Sequence, residues 1–264
     1  MRKFTISNRI GEKRILIYAA ALCLILLCPL SSALGRALYD PVSQDNKHLS
    51  ADWRNPYSTI AVHDLNKMGM TITNFGVMGS GFSEHISTID PVTGTPTLSA
   101  AYPYPEPYRY LFSGALWIGA VVGRDTLVSV GADGWNLVYE MNAVEENGPI
   151  TREYIDDVYG YVSSQIYTAI FTDTVTNPDF VQIDPVDNRP HIPLNMEITQ
   201  TTLAGFKPES EIPPSDHDFV IFDYAVKNIG LHSLNDVYFG IFVDGVEIGP
   251  ENFFQGDGLI NPLQ

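Results

Sequence analysis

The chain has 264 residues, with 31 Asp+Glu against 15 Lys+Arg, a formal net charge of −16 and only two cysteines. A surface that acidic repels phosphate backbones, which argues against binding DNA or RNA. The length suffices for one large β domain or two smaller ones with a sizeable core, so disulfide stapling is not required.

The first segment is a basic start (Arg2, Lys3, Arg9, Lys13, Arg14), an apolar run from Ile15 to Leu30, and then Ser31-Ser32-Ala33. That order of charge, apolar residues and small residues reads as a secretory leader over residues 1–33. The competing reading is an uncleaved membrane anchor, but a span needs about 20 apolar residues and this run stops at Pro29. Cleavage is expected after Ala33, with the Gly35-x-Ala37 site as the alternative. Leu22 and Leu27 precede the two cysteines, Cys23 and Cys28, which argues against a lipid anchor. Loss of the leader removes both cysteines and leaves 10 basic against 30 acidic residues, a charge near −20. The mature chain is then expected to be secreted or cell-surface, held by core burial, with no membrane attachment.

Beyond the leader, Gly, Pro, Asn and Asp punctuate short β-branched and aromatic runs, the pattern of an all-β domain. Tyr102–Tyr108 (YPYPEPY) is expected to be an extended polyproline-like surface segment, because alternating prolines forbid a sheet interior. Ala115–Val122, a turn at Gly123-Arg124-Asp125, and Thr126–Val130 read as a hairpin. Leu116, Ile118, Ala120 and Val122 share one face; Trp117, Gly119 and Val121 share the other. Both faces are apolar, so this strand, with Trp117, is expected in the core.

Asn147-Gly148-Pro149 is the softest internal boundary, dividing a β-rich domain at 34–147 from an Ig-like sandwich domain at 148–264. Gln165–Asp173 and Leu194–Leu203 read as strands, and Lys207–Asp218 as a proline-rich loop. In Phe219–Lys227, Val220, Phe222, Tyr224 and Val226 point one way before Asn228-Ile229-Gly230 breaks the strand. Val237–Val243 alternates again and closes on Asp244-Gly245. A connection of about nine residues between these two strands suits a β-sandwich better than a βαβ unit.

The blocks Tyr110–Trp135, Asp218–Gly230 and Asp236–Gly245 carry a resemblance. They resemble the N-terminal region of large, uncharacterised secreted proteins of environmental Gram-negative bacteria, several of which end in a type IX secretion sorting module. The later blocks are also similar to adhesion-type Ig-like domains in which one strand ends in Asn-x-Gly and its partner in Asp-Gly. The resemblance spans about Asn74 to Gly249. It implies a structural role and supplies no catalytic motif. It also implies a polypeptide that continues past Gln264, making this chain a fragment; the alternative is a complete chain whose tail loops back.

Among chemical motifs, Gly76-Val-Met-Gly79-Ser-Gly81 reverses the dinucleotide fingerprint and reads as flexible backbone. Asp216-His217-Asp218 sets an imidazole between carboxylates, but alternation in an extended chain points them apart. His63-Asp64 and Glu84-His85 are weaker still. Ser80 and Ser113 lie beside glycines without the Gly-x-Ser-x-Gly context of a hydrolase. Asp156-Asp157 and Asp184/Asp187 are carboxylate pairs of the kind glycoside hydrolysis uses.

The acidic loops offer a structural Ca²⁺ as the one candidate cofactor, with Asp179, Asp184, Asp187, Asp244 and Asp257 as candidate ligands, although solvated turn residues are the favoured reading because no Asp-x-Asp-x-Asp-Gly loop is present. Trp135, Tyr104 and Tyr108 are candidate rings for a glycan-binding face, set against plain packing of the proline segment. The resulting expectation is a secreted structural or adhesion-type protein, not an enzyme, whose partners are cell-surface polysaccharide or other surface proteins. The alternatives are a carbohydrate-binding module and the non-catalytic front of a larger exported hydrolase.

Overall fold

The computed structural model describes residues 4–6, 14–17, 55–80, 88–106, 108–132, 139–156, 162–181, 183, 188–205 and 218–248. Among these described residues thirteen strands run in chain order: β1 (Phe4–Ile6), β2 (Arg14–Ile17), β3 (Ile60–His63), β4 (Gly69–Thr73), β5 (Val77–Gly79), β6 (Ser99–Ala101), β7 (Arg109–Val122), β8 (Asp125–Val130), β9 (Thr151–Asp156), β10 (Val162–Thr172), β11 (Met196–Ala204), β12 (Val220–Asn228) and β13 (Leu234–Ile248). The protein is all-β, as its composition and punctuation predicted.

Two sheets form. One holds eight strands along the path β1-β13-β7-β5-β4-β3, with β6 and β8 attached to it; the other is β2-β12-β11-β10-β9. All the pairings are antiparallel. One apolar cluster draws Ile72, Leu116 and Ile118 from the first sheet and Phe171, Ile198 and Phe222 from the second, so the sheets face each other across a shared core. The residues on either side of the expected boundary at 147–149 both feed this cluster. A 3-10 turn at Glu145–Asn147 marks the crossover from one sheet to the other.

The 14-residue strand β7 organises the first sheet. β13 lies along one of its edges, while β6, β5 and β8 share the other in tandem. The hairpin predicted at 115–130 is β7–β8, with Gly123 at φ 65° in its two-residue turn. Leu116, Ile118 and Ala120 face the common core. Trp117 points to the outer face and is only half buried, stacked on Phe242 at 5.8 Å, and its Nε1–H donates to the Ala132 carbonyl at 2.7 Å. Apolar composition did not separate a core face from an outer face here, because a second small cluster around Phe75 and Tyr139 covers part of that side.

The strands expected at 165–173, 194–203 and 219–227 are β10, β11 and β12. Together with β9 they form a meander of consecutive neighbours, whereas an immunoglobulin sandwich relies on Greek-key connections. β13 does not close at Asp244-Gly245. It passes through that dipeptide on a register shift and continues to Ile248. The link between β12 and β13 carries the chain from one sheet to the other.

The Tyr-Pro segment departs from the polyproline expectation. Its peptides Tyr102-Pro103 and Tyr104-Pro105 are cis, and the stretch folds into turns held by Tyr104 N–H to Lys67 O at 2.7 Å and Glu106 N–H to Pro103 O at 2.8 Å. Tyr104 packs beside Val62, Leu98 and Ala101.

The glycine pattern at 76–81 has a structural use up to Gly79. Gly76 (φ 79°) and Gly79 (φ 87°) bracket β5 in a conformation that disfavours side chains. The Gly76 carbonyl accepts from Leu116 N–H at 2.9 Å, and a Cβ on Gly131 would sit 2.3 Å from that same oxygen. Gly81 lies outside the described residues. Gly131→Ala is therefore expected to cost about 1–3 kcal/mol through backbone overlap. Gly119→Ala, whose new Cβ would meet nothing nearer than 3.5 Å, should leave the urea midpoint of the full chain unchanged or raise it.

Candidate functional site

Two buried polar clusters are the chemically richest places among the described residues. The first lies along the outer edge of β3. Asp90 is 1% exposed and receives a bidentate Arg152 guanidinium, Nη1 to Oδ2 at 2.8 Å and Nη2 to Oδ1 at 2.9 Å. Its carboxylate also accepts from the backbone N–H groups of Val62, Val92 and Thr93. Although burial opposes ionisation, these donors hold the Asp90 carboxyl below the usual carboxylate range. Arg152 Nη2 donates a further bond to the Ile60 carbonyl at 3.0 Å, and its guanidinium lies 5.1 Å above the Tyr167 ring.

Tyr167 Oη donates to the Val62 carbonyl at 3.2 Å, and its ring stacks on His63 at 4.4 Å. His63 is fully buried, with Nε2 2.8 Å from Thr202 Oγ1 and Nδ1 facing no partner. Thr202 Oγ1 donates to the Tyr167 carbonyl, so it accepts from His63 and the ring carries its proton on Nε2. Burial pushes the His63 pKa down to about 3, leaving the imidazole neutral over the working range.

The second cluster joins β8, β10 and the segment leading into β11. Asp173, fully buried, accepts from Ser129 Oγ at 2.7 Å, Leu194 N–H at 2.6 Å and Met196 N–H at 2.7 Å. Burial pushes its carboxyl upward despite those donors. His191 lies between the Asp173 carbonyl, 2.6 Å from Nε2, and Glu140 Oε1, 3.2 Å from Nδ1. The other Glu140 oxygen accepts from Val130 N–H at 3.0 Å.

Serine, histidine and two carboxylates thus meet, but not as a relay. The Ser129 hydroxyl is spent on Asp173, and the His191 Nε2 faces a carbonyl, so no nucleophile–base pair exists there. The cluster instead ties Ser129 of β8 and the backbone of Leu194 and Met196 to Asp173.

The residues singled out in the sequence fall elsewhere. Ser80 and Ser113 are buried: Ser80 Oγ accepts from Arg109 at 3.4 Å, and Ser113 Oγ has no partner among the described residues. The Asp179 backbone N–H donates to Asn177 Oδ1 at 3.0 Å, and Asp244 lies in β13, where burial raises its carboxyl. Among the described residues no three His, Cys, Asp or Glu side chains come together to hold a metal ion. Tyr104 is partly buried, while Tyr108 is exposed just ahead of β7. Trp135, Asp184, Asp187, Asp257, Asp157, Glu84, His85, Asp216 and His217 lie outside the described residues.

Sequence reasoning missed Asp90, Arg152, Glu140, Asp173 and His191. Arg152 meets Asp90 across 62 positions, Asp173 meets Ser129 across 44 and His191 meets the Asp173 carbonyl across 18, which no local pattern encodes. One signal was present: Asp173 follows the last residue of an apolar strand and so sits at the sheet margin, where backbone donors need partners. In comparisons with known proteins, the chain matches no family model, no curated protein and no solved structure.

Arg152→Met leaves Asp90 buried without its counter-charge and is expected to cost about 3–5 kcal/mol. Lys227→Met, which breaks the exposed pair with Glu197 at 3.3 Å, should cost no more than about 1 kcal/mol by the same urea denaturation. His63 must be neutral in the folded chain, so its contribution is present above about pH 6.5 and is lost as pH falls toward 3, at up to about 1.4 kcal/mol per unit. His63→Phe, which keeps a ring over Tyr167, is expected to flatten the acid limb of the stability–pH curve; an unchanged slope would refute this.

Proposed function

We propose that the chain is a non-catalytic structural or adhesion-type module, exported to the cell surface. One observation carries this reading. The buried charged groups of both clusters are spent on backbone amides, carbonyls and one another, so they fasten loops to sheets and do not face a reacting group. The two-sheet architecture supports the comparison with Ig-like adhesion domains at the level of the sandwich.

Export has a structural consequence. β1 and β2 both belong to the expected leader, and they occupy the outer edges of β13 and β12. Cleavage after Ala33 would uncover both edges, and an uncovered edge recruits another strand. Assembly by strand addition is therefore the mode of action that suits a cleaved chain. A glycan-binding role has Tyr108 as its exposed described ring and rests on that observation alone.

The intact mass of the exported species provides the test, and it is expected to begin at Leu34 or Leu38. Recovery of the full chain held in the membrane would overturn the export reading and keep β1 and β2 in the molecule.

A further inference from the structure

β12 carries a charge pattern that its neighbours in the sheet leave incomplete. Val220, Phe222 and Tyr224 are buried in the core, so Ile221, Asp223, Ala225 and Lys227 alternate on the outer face. On the β11 side, Lys227 lies opposite Glu197 and pairs with it at 3.3 Å, while Asp223 lies opposite Thr201. On the β2 side, Asp223 lies opposite Leu16, and the register ends at Ala225, short of Lys227. Asp223 therefore has no charged residue directly opposite it on either strand. Its Oδ1 is shielded from solvent and has no hydrogen-bond partner among the described residues, a costly state for a carboxylate. The Lys227 side chain stays 64% exposed.

The spacing of these two charges makes the strand self-complementary. When two copies of one strand pair antiparallel about a two-fold axis, opposed residues lie equally far from the axis and share a face. With the axis at Ala225, Asp223 lies opposite Lys227 of the second copy, and Lys227 lies opposite Asp223 of the second copy. Tyr224 then lies opposite Val226, so the apolar row continues as well. An axis at Asp223 sets two aspartates against each other, and axes at Phe222, Tyr224 or Val226 bring no opposite charges face to face.

We propose that the exported chain forms a two-fold dimer through β12, a second copy taking the place of β2; this rests on the export reading, since β2 belongs to the expected leader. The same cleavage removes β1 from β13, so leader strands cover neither outer edge. Across the two copies a charge ladder runs Glu197, Lys227, then Asp223 and Thr201 of the second copy, with a lysine between two carboxylates. A two-fold contact closes on itself, whereas pairing β12 with β9, the opposite end strand of the same sheet, would repeat without end.

The test expresses the full chain and reads the exported species by intact mass and by sedimentation. A species that begins at Leu34 or Leu38 is expected to sediment as a dimer. Lys227→Glu and Asp223→Lys each set like charges opposite one another at both pairs and should weaken that dimer about tenfold or more. Mixed in equal amounts, the two variants should recover a dimer of wild-type strength, because each supplies the charge that the other lacks. A processed species that sediments as a monomer or as an open-ended polymer overturns the dimer and leaves export standing. Recovery of the uncleaved chain overturns export and the dimer with it, so the mass tells the two failures apart. Single variants that dimerise like wild type, or a mixture of folded variants that stays monomeric, overturn the β12 contact. If Asp223→Lys fails to fold, Lys227→Glu compared with Lys227→Arg, which keeps the charge, still decides.

Discussion

The outer edge of β3, which no further strand pairs among the described residues, is the constraint around which one flank of the sandwich is built. An edge strand presents alternate backbone groups that need partners. Here Ile60 O, Val62 N–H and Val62 O are taken by Arg152, Asp90 and Tyr167 in turn. Arg152 and Tyr167 come from the opposite sheet, through β9 and β10. A single ion pair thus covers a sheet edge and ties the two sheets together on that side. Surface pairs contribute little, but this one is removed from water and gains two parallel hydrogen bonds.

The other flank is built differently. The chain crosses from β12 to β13 there, so covalent connection replaces side-chain bridging, and the outer edges are covered by β2 and β1. Under the proposed export the asymmetry would matter, since the polar seal at β3 lies outside residues 1–33 and the strand seal lies within them.

The far end is closed by Asp173, whose two carboxylate oxygens gather a hydroxyl and two amides. Such a group is costly to bury and costlier to leave unpaired. It fastens the residues that lead into β11 to the end of β10 and to β8.

Much of the fold was legible in the amino-acid order. Alternation placed the buried rows Leu116-Ile118-Ala120 and Val220-Phe222-Tyr224, because a strand's side chains repeat every two residues and need only local information. The hairpin at Gly123 followed from turn chemistry in the same way. Tertiary structure alone decided which strands became neighbours, that Tyr102–Glu106 turned instead of extending, and that Arg152 met Asp90 and His191 met Glu140. Those outcomes depend on residues brought together from distant parts of the chain, where burial makes a polar group find a partner but the order of residues does not say which.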